Sequence, residues 1–192
     1  MEFFIATHSV QDGLSGKAIR LVTEARCTPP WVLGPALPCT HAFVYWTHTE
    51  HSTAGALISS AVPVAAAATF GYRLDGKPPR AKLMDLAPFV VPMAAWRLDP
   101  TRVDIKAARE RAIELDGTIY DSPELGLQLL PGFEMLDVLK DAMICTGIAR
   151  AVLFAAGGPA RALASSMRTL FPEALAQRLN DAVRDGWLHR AV

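Results

Sequence analysis

His41-Ala42-Phe43-Val44-Tyr45-Trp46 packs aromatic, β-branched and small apolar side chains into one strand length, and the polar stretch Thr47 to Thr53 follows at once. That composition predicts a β-strand, since such residues suit a pleated, half-buried surface. Ala54 to Val64 is a second run of the same kind, and two runs so close predict neighbouring antiparallel strands. Working outward, Phe3 to Ala6 reads as an earlier strand, Ala65 to Tyr72 as a third and Phe89 to Arg97 as a fourth, with Pro and Gly clusters as breakers between them. Ser15 to Thr23 has the spacing of a short helix, and a loop through Pro29, Pro30, Pro35 and Pro38 delivers the chain to His41.

Beyond Asp99 the apolar period changes from strand to helix. Ile105, Ala108, Ala112, Ile113 and Leu115 fall on one face while Lys106, Arg109, Glu110 and Arg111 fall largely on the other, which predicts an amphipathic helix ending at Gly117. A second helix is predicted from Cys145 to Ala156, capped by Gly157-Gly158 with Pro159 just beyond, and a last one from Pro172 to Trp187. Strands first and helices after suit an α+β domain with helices packed against one antiparallel sheet. No fixed-period repeat interrupts the pattern.

Bulk properties narrow the class. A chain of 192 residues, 51% of them hydrophobic, suits one domain with a substantial core spanning 1–192. Lysine plus arginine and aspartate plus glutamate number 19 each, so no overall field recruits nucleic acid or an anionic membrane. The basic residues Arg73, Lys77, Arg80 and Lys82, interleaved with Pro and Gly, read as a solvated turn with no nucleic-acid motif. Met1 to Val10 has neither the basic start nor the unbroken apolar run of an export signal, and the longest apolar stretch, Ala61 to Phe70, is too short to span a bilayer. The expectation is a soluble chain, cytoplasmic as synthesised, with no stable membrane insertion. Cys27, Cys39 and Cys145 are odd in number and lack paired spacing, which argues for a reducing compartment and at least one thiol outside any disulfide.

Cys145 lies in Met143-Ile144-Cys145-Thr146-Gly147-Ile148-Ala149, where irregular chain turns into an apolar helix. Unbonded N–H groups and the positive end of the helix dipole favour a thiolate there, and the same N–H groups can hold a developing oxyanion. The alternative reading is a small buried apolar residue. His41 opens a strand after a Pro-Cys-Thr turn, where one imidazole nitrogen can take the thiol proton while the other is held by an orienting partner. Taken without Cys145, it reads as a structural histidine bonded to a turn. A rival constellation, His48-x-x-His51 with Glu50, has metal-ligating residue types but no second ligand cluster at standard spacing, and reads as a wet loop.

In order, His41 on a strand, a following strand Ala56-Leu57-Ile58-Ser59-Ser60-Ala61, a helix ending in Leu115-Asp116-Gly117-Thr118-Ile119-Tyr120-Asp121, and Ile144-Cys145-Thr146 opening a helix resemble the circularly permuted NlpC-type papain-like cysteine hydrolases. These include the YiiX-like and lecithin:retinol acyltransferase-like groups, and the resemblance covers roughly Ser15 to Gly158. The family's Ser-His-Val-Gly-Ile is Thr40-His41-Ala42-Phe43-Val44 here, its Cys-Ser-Glu-Leu-Val is Cys145-Thr146-Gly147-Ile148-Ala149, and Gly117-x-x-Tyr120 looks like its Gly-x-Pro-Tyr element. The match is one of pattern and order more than of identity.

The resemblance implies a permuted papain-like fold with a barrel-like antiparallel sheet, Cys145 as nucleophile, His41 as base and Tyr120 as an oxyanion donor. Many relatives place Glu, His or Asn on the strand after the histidine; this chain has Ser60, whose hydroxyl can orient an imidazole without stabilising an imidazolium as a carboxylate does. No cofactor and no metal are implied. The implied substrate is an amide or peptide bond, with cell-wall peptides the commonest choice and acyl lipids the alternative, the run Ala61 to Phe70 then lining an acyl groove. A further alternative is a binding or scaffold domain that keeps the fold without the chemistry. A wall-degrading enzyme made without an export signal is expected either to be delivered by a phage particle or secretion system or to act on material inside the cell.

Overall fold

The computed structural model describes residues 1–8, 41–47, 55–59, 80–85, 94–119, 144–167 and 172–191. Its centre is β1 (Glu2–His8), Glu-Phe-Phe-Ile-Ala-Thr-His, a strand apolar on both faces. Alternation sends Phe3 and Ile5 into the main core and Ala6 into a second, smaller cluster on the opposite face. A strand buried on both sides belongs in the middle of a sheet, and β1 is flanked on either hand. β2 (His41–Thr47) pairs with it antiparallel from Glu2 opposite Thr47 to His8 opposite His41.

The β1–β2 register is fixed by stacked rings on both faces. Phe3 lies on Trp46 with centroids 5.8 Å apart and planes 4° from parallel, and Phe4 on Tyr45 at 4.6 Å and 5°. Aromatic pairs of this kind are worth about 0.5–1.5 kcal/mol each beyond their buried area, and a one-residue slip would break both at once. β3 (Gly55–Ser59) lies antiparallel beside β2, as the two neighbouring runs predict. β5 (Ala94–Leu98) flanks β1 on the other side, setting Trp96 opposite Ile5 and Ala95 opposite Ala6. Ala54 and the later part of the run to Val64, the earlier part of the run Phe89 to Arg97, and the predicted helix at Ser15 to Thr23 and strand at Ala65 to Tyr72 lie outside the described residues.

Two strands go beyond the sequence reading. β4 (Lys82–Asp85) pairs with β3, so Lys82 belongs to a strand and not to a solvated turn. Its four residues show almost no apolar alternation, and distant bonds hold it. Leu83 N–H donates to the Asp116 carboxylate at 2.8 Å, the Arg80 guanidinium to Gly117 O at 2.8 Å, and Ala81 N–H to Thr118 O at 2.8 Å. β6 (Leu188–Arg190) returns after all the helices to pair with β5, so Trp187 precedes a strand and does not end a helix.

The six strands run in the order β4-β3-β2-β1-β5-β6, every neighbour antiparallel. The sheet is open, and the barrel-like closure expected from the resemblance is absent among the described residues. Closure requires the two edge strands to pair. Here the edges are strands of four and three residues, and the chain just before β4 bonds to the turn after the first helix instead.

α1 (Ile105–Glu114) starts where Asp104 caps it, its carboxylate accepting from Ala107 N–H at 2.9 Å. Ile105, Ala108, Ala112 and Leu115 are buried as their spacing predicts, whereas Ile113, placed on the same face, is 38% exposed. At 100° per residue Ile113 stands well off the stripe through Ala108, Ala112 and Leu115, on the edge of the apolar arc. Gly117, at φ 80°, ends the segment in a left-handed turn.

α2 (Cys145–Ala155) is apolar enough to be buried along most of its length, with Phe154 emerging at its end. It packs on β2, α1 and α3 (Gly158–Ser166). The Gly157-Gly158 stop holds, but Pro159 lies in the first turn of α3 and does not merely follow a finished helix, because proline fits that turn, where its missing N–H has no partner to lose. α4 (Pro172–Val183) packs against β6 and α2. Asn180 on α4 accepts from the buried Trp96 indole at 3.0 Å, bonding the helix layer to β5.

Candidate functional site at the start of helix α2

α2 begins abruptly. Ile144 precedes it in extended backbone (φ −79°, ψ 168°), the Ile144 side chain makes no capping hydrogen bond, and the first turn carries no acidic residue. The first bond of the helix runs from Ile148 N–H to Ile144 O at 3.1 Å. The N–H groups of Cys145, Thr146 and Gly147 therefore have no acceptor within the helix, and they carry the positive end of its dipole.

Cys145 is the first helical residue and is 5% exposed. It is a thiol, not half of a disulfide. It belongs to the main core, which also holds Ala42 and Val44 of β2 and Ile148, Ala149 and Val152 of its own helix. Two influences oppose each other there: the helix start favours the thiolate, and the apolar surroundings favour the thiol.

His41 is the first residue of β2, the strand on which α2 packs, and stands opposite His8 of β1. The fold thus brings together the strand opened by His41 and the helix opened by Cys145. In the strand's two-residue period, position 41 has the parity of Phe43 and Tyr45, while Ala42, Val44 and Trp46 belong to the core that holds Cys145. Ser60 follows the last residue of β3 and Tyr120 follows Ile119, which bridges to Arg80. Both lie outside the described residues, as do Cys27, Cys39, His48, Glu50 and His51. Among the described residues no group of three or more His, Cys, Asp or Glu side chains could hold a metal ion, and no helix is long and apolar enough to cross a membrane.

One neighbour of the thiol escaped the sequence reading. Thr146 is 4% exposed, and its hydroxyl has no hydrogen-bond partner among the described residues. A threonine deeper in a helix can return its hydroxyl to the carbonyl one turn back; at the second helical position that turn does not exist. The sequence signal was a hydroxyl residue at the start of an apolar helix, beside the candidate nucleophile.

The described groups with displaced acidity stand elsewhere in the fold. Burial first, and the Glu2 carboxylate second, push the Tyr45 phenol up to about 12. The hydroxyl and N–H of Thr101 lower the Asp99 carboxyl, assisted by His189, whose Nε2 is 3.6 Å from Asp99 Oδ2. Neither is next to Cys145 along the chain. No protein-family model matches the chain, and no curated protein or solved structure matches it either.

Proposed function

We propose that the protein is a thiol hydrolase acting on amide or peptide bonds, with Cys145 as nucleophile and His41 as general base. The observation that carries this reading is a cysteine at the first position of an uncapped helix whose flank packs on the strand that His41 opens. In the reaction His41 takes the thiol proton, and sulfur bonds to the carbonyl carbon as the carbonyl π pair moves to oxygen. The helix-start N–H groups hold that oxyanion. Its collapse breaks the C–N bond, the amine leaves with the proton from His41, and water then cleaves the thioester to a carboxylic acid and the thiol. Tyr120 is assigned as a second oxyanion donor and Ser60 as the group that orients His41, both on the family resemblance. No step calls for a cofactor. The permuted papain-like family supplies the substrate class: peptide stems of the cell wall first, acyl lipids second.

A second reading, a binding domain of this architecture without the chemistry, is favoured by the parity of position 41 and by the deep burial of Cys145. A His41–Cys145 dyad requires the regular alternation of β2 to give way at its first residue. Iodoacetamide with peptide mapping decides between the two. The hydrolase reading expects Cys145 to be alkylated ahead of Cys27 and Cys39, with a pH profile that shifts in His41→Ala. A Cys145 left unmodified in the folded chain sinks that reading. Amine release from digested wall peptides, set against fatty-acid release from thioesters or phospholipids, separates the two substrate classes.

A further inference from the structure

We propose that the Thr146 hydroxyl is a catalytic hydrogen-bond donor to the acyl oxygen of the substrate, a role that rests on Cys145 being the nucleophile. The starting point is an unpaired group in a costly place. A buried hydroxyl left without a partner forfeits the bonds it makes in water, so such groups are uncommon in folded proteins. Thr146 Oγ1 is one of them, in a side chain almost wholly removed from solvent.

Its place in the fold says where a partner would come from. On a helix the Cα–Cβ bond tilts toward the N-terminus, so the second residue of α2 directs its side chain toward the open end of the helix. At that end stand the N–H groups of Thr146 and Gly147, which have no acceptor within the helix and which the Ile144 side chain does not cap. Nor is the hydroxyl bonded to the sulfur of Cys145. A donor at a helix start, beside a thiol yet bonded to nothing among the described residues, is suited to an oxygen atom that arrives with a ligand.

The ligand that fits is an acyl group. As the Cys145 sulfur bonds to the carbonyl carbon, the π pair moves to the carbonyl oxygen, and that oxygen gains charge where Thr146 O–H and the helix N–H groups can donate to it. The thiol proton passes to His41, and the tetrahedral adduct collapses by expelling its leaving group. Only the carbonyl reaction develops this oxyanion. Displacement of iodide from iodoacetamide by the same sulfur takes place at a saturated carbon and builds no negative charge on an oxygen.

That contrast supplies the test. Cys145 in the full chain is acylated with p-nitrophenyl acetate, in which the thioester forms as p-nitrophenolate leaves, and separately alkylated with iodoacetamide, both localised by peptide mapping. In Thr146→Val, which keeps the shape and removes the hydroxyl, acylation is expected to slow about 100-fold, the usual effect of losing one oxyanion donor. Alkylation is expected to stay within about twofold, on the principle that only interactions made in the transition state affect its rate. Thr146→Ser is expected to recover most of the acylation rate.

Equal acylation of the parent and Thr146→Val overturns the proposal and leaves the hydrolase reading standing. So does a parent chain that is alkylated at Cys145 but not acylated. An equal loss of both reactions in Thr146→Val, with a lowered melting temperature, overturns it in favour of a purely structural role. A Cys145 inert to both reagents in the parent removes the hydrolase reading and this proposal together.

Discussion

At the scale of single residues, the positions that matter most are those where backbone geometry leaves no choice. Gly158 adopts φ +51°, and a Cβ built there would meet the backbone oxygen of Arg102 at 2.8 Å. The break between α2 and α3 therefore depends on the missing side chain as well as on the left-handed turn. Gly158→Ala is expected to lower the unfolding free energy by at least about 2 kcal/mol, from left-handed strain plus the clash, read from a urea titration. Cys145 and Thr146 are determined in the same way, by being the first two residues of an uncapped helix. Cys145 was legible as a candidate because a cysteine opening an apolar helix is a recognisable pattern. The burial of the Thr146 hydroxyl was not, since it depends on which face of α2 meets the sheet. The parity of position 41 was implicit in the run His41 to Trp46, but its meaning awaited the identity of the face on which α2 packs.

At the scale of elements, β1 and β2 are held by register more than by any single contact. Tyr45 stacks on Phe4 across the pair, and burial beside Glu2 raises its phenol from the ordinary 10.0 to about 12. Between those values the unfolded chain loses the Tyr45 proton while the folded chain keeps it. Stability from this group is thus fully present below pH 10 and declines as pH rises toward 12. Absorbance at the phenolate band is expected to show a titration near pH 12 that disappears in Tyr45→Phe, and a Tyr45 ionising at its ordinary pH would contradict the packing described. The strands β1 and β2 and the helices α1 and α2 were all legible, because apolar period distinguishes them. β4, α3 and β6 were not. β4 is specified by bonds from Asp116, Gly117 and Thr118, more than thirty residues later in the chain. α3 follows a double-glycine stop that reads as an ending, and β6 has only three residues.

At the scale of the whole molecule, one helix layer covers the sheet, and the last strand ties that layer to β5. Trp187 is fully buried in the main core immediately before β6, and its carbonyl accepts from Asp99 N–H at 3.0 Å. Trp187→Ala is expected to cost about 3–5 kcal/mol, a large share of the 5–15 kcal/mol typical of a domain. The checks are the urea midpoint and near-ultraviolet circular dichroism, and an unchanged midpoint would show that β6 is dispensable.

What the sequence determined by itself is the α+β class, the central strands, the amphipathic helix α1 with its glycine stop, and a cysteine at the start of an apolar helix. Each is a local matter, fixed by the period of apolar residues and by the few residue types that caps and turns accept. Only the tertiary structure decided that the sheet is open and not barrel-like, that Lys82 to Asp85 is its edge, and that the chain's last strand lies beside β5. It alone decided, too, that the helix opened by Cys145 packs on the strand opened by His41. These depend on pairing between residues far apart in the chain, where burial and hydrogen bonding must be satisfied for the whole molecule at once.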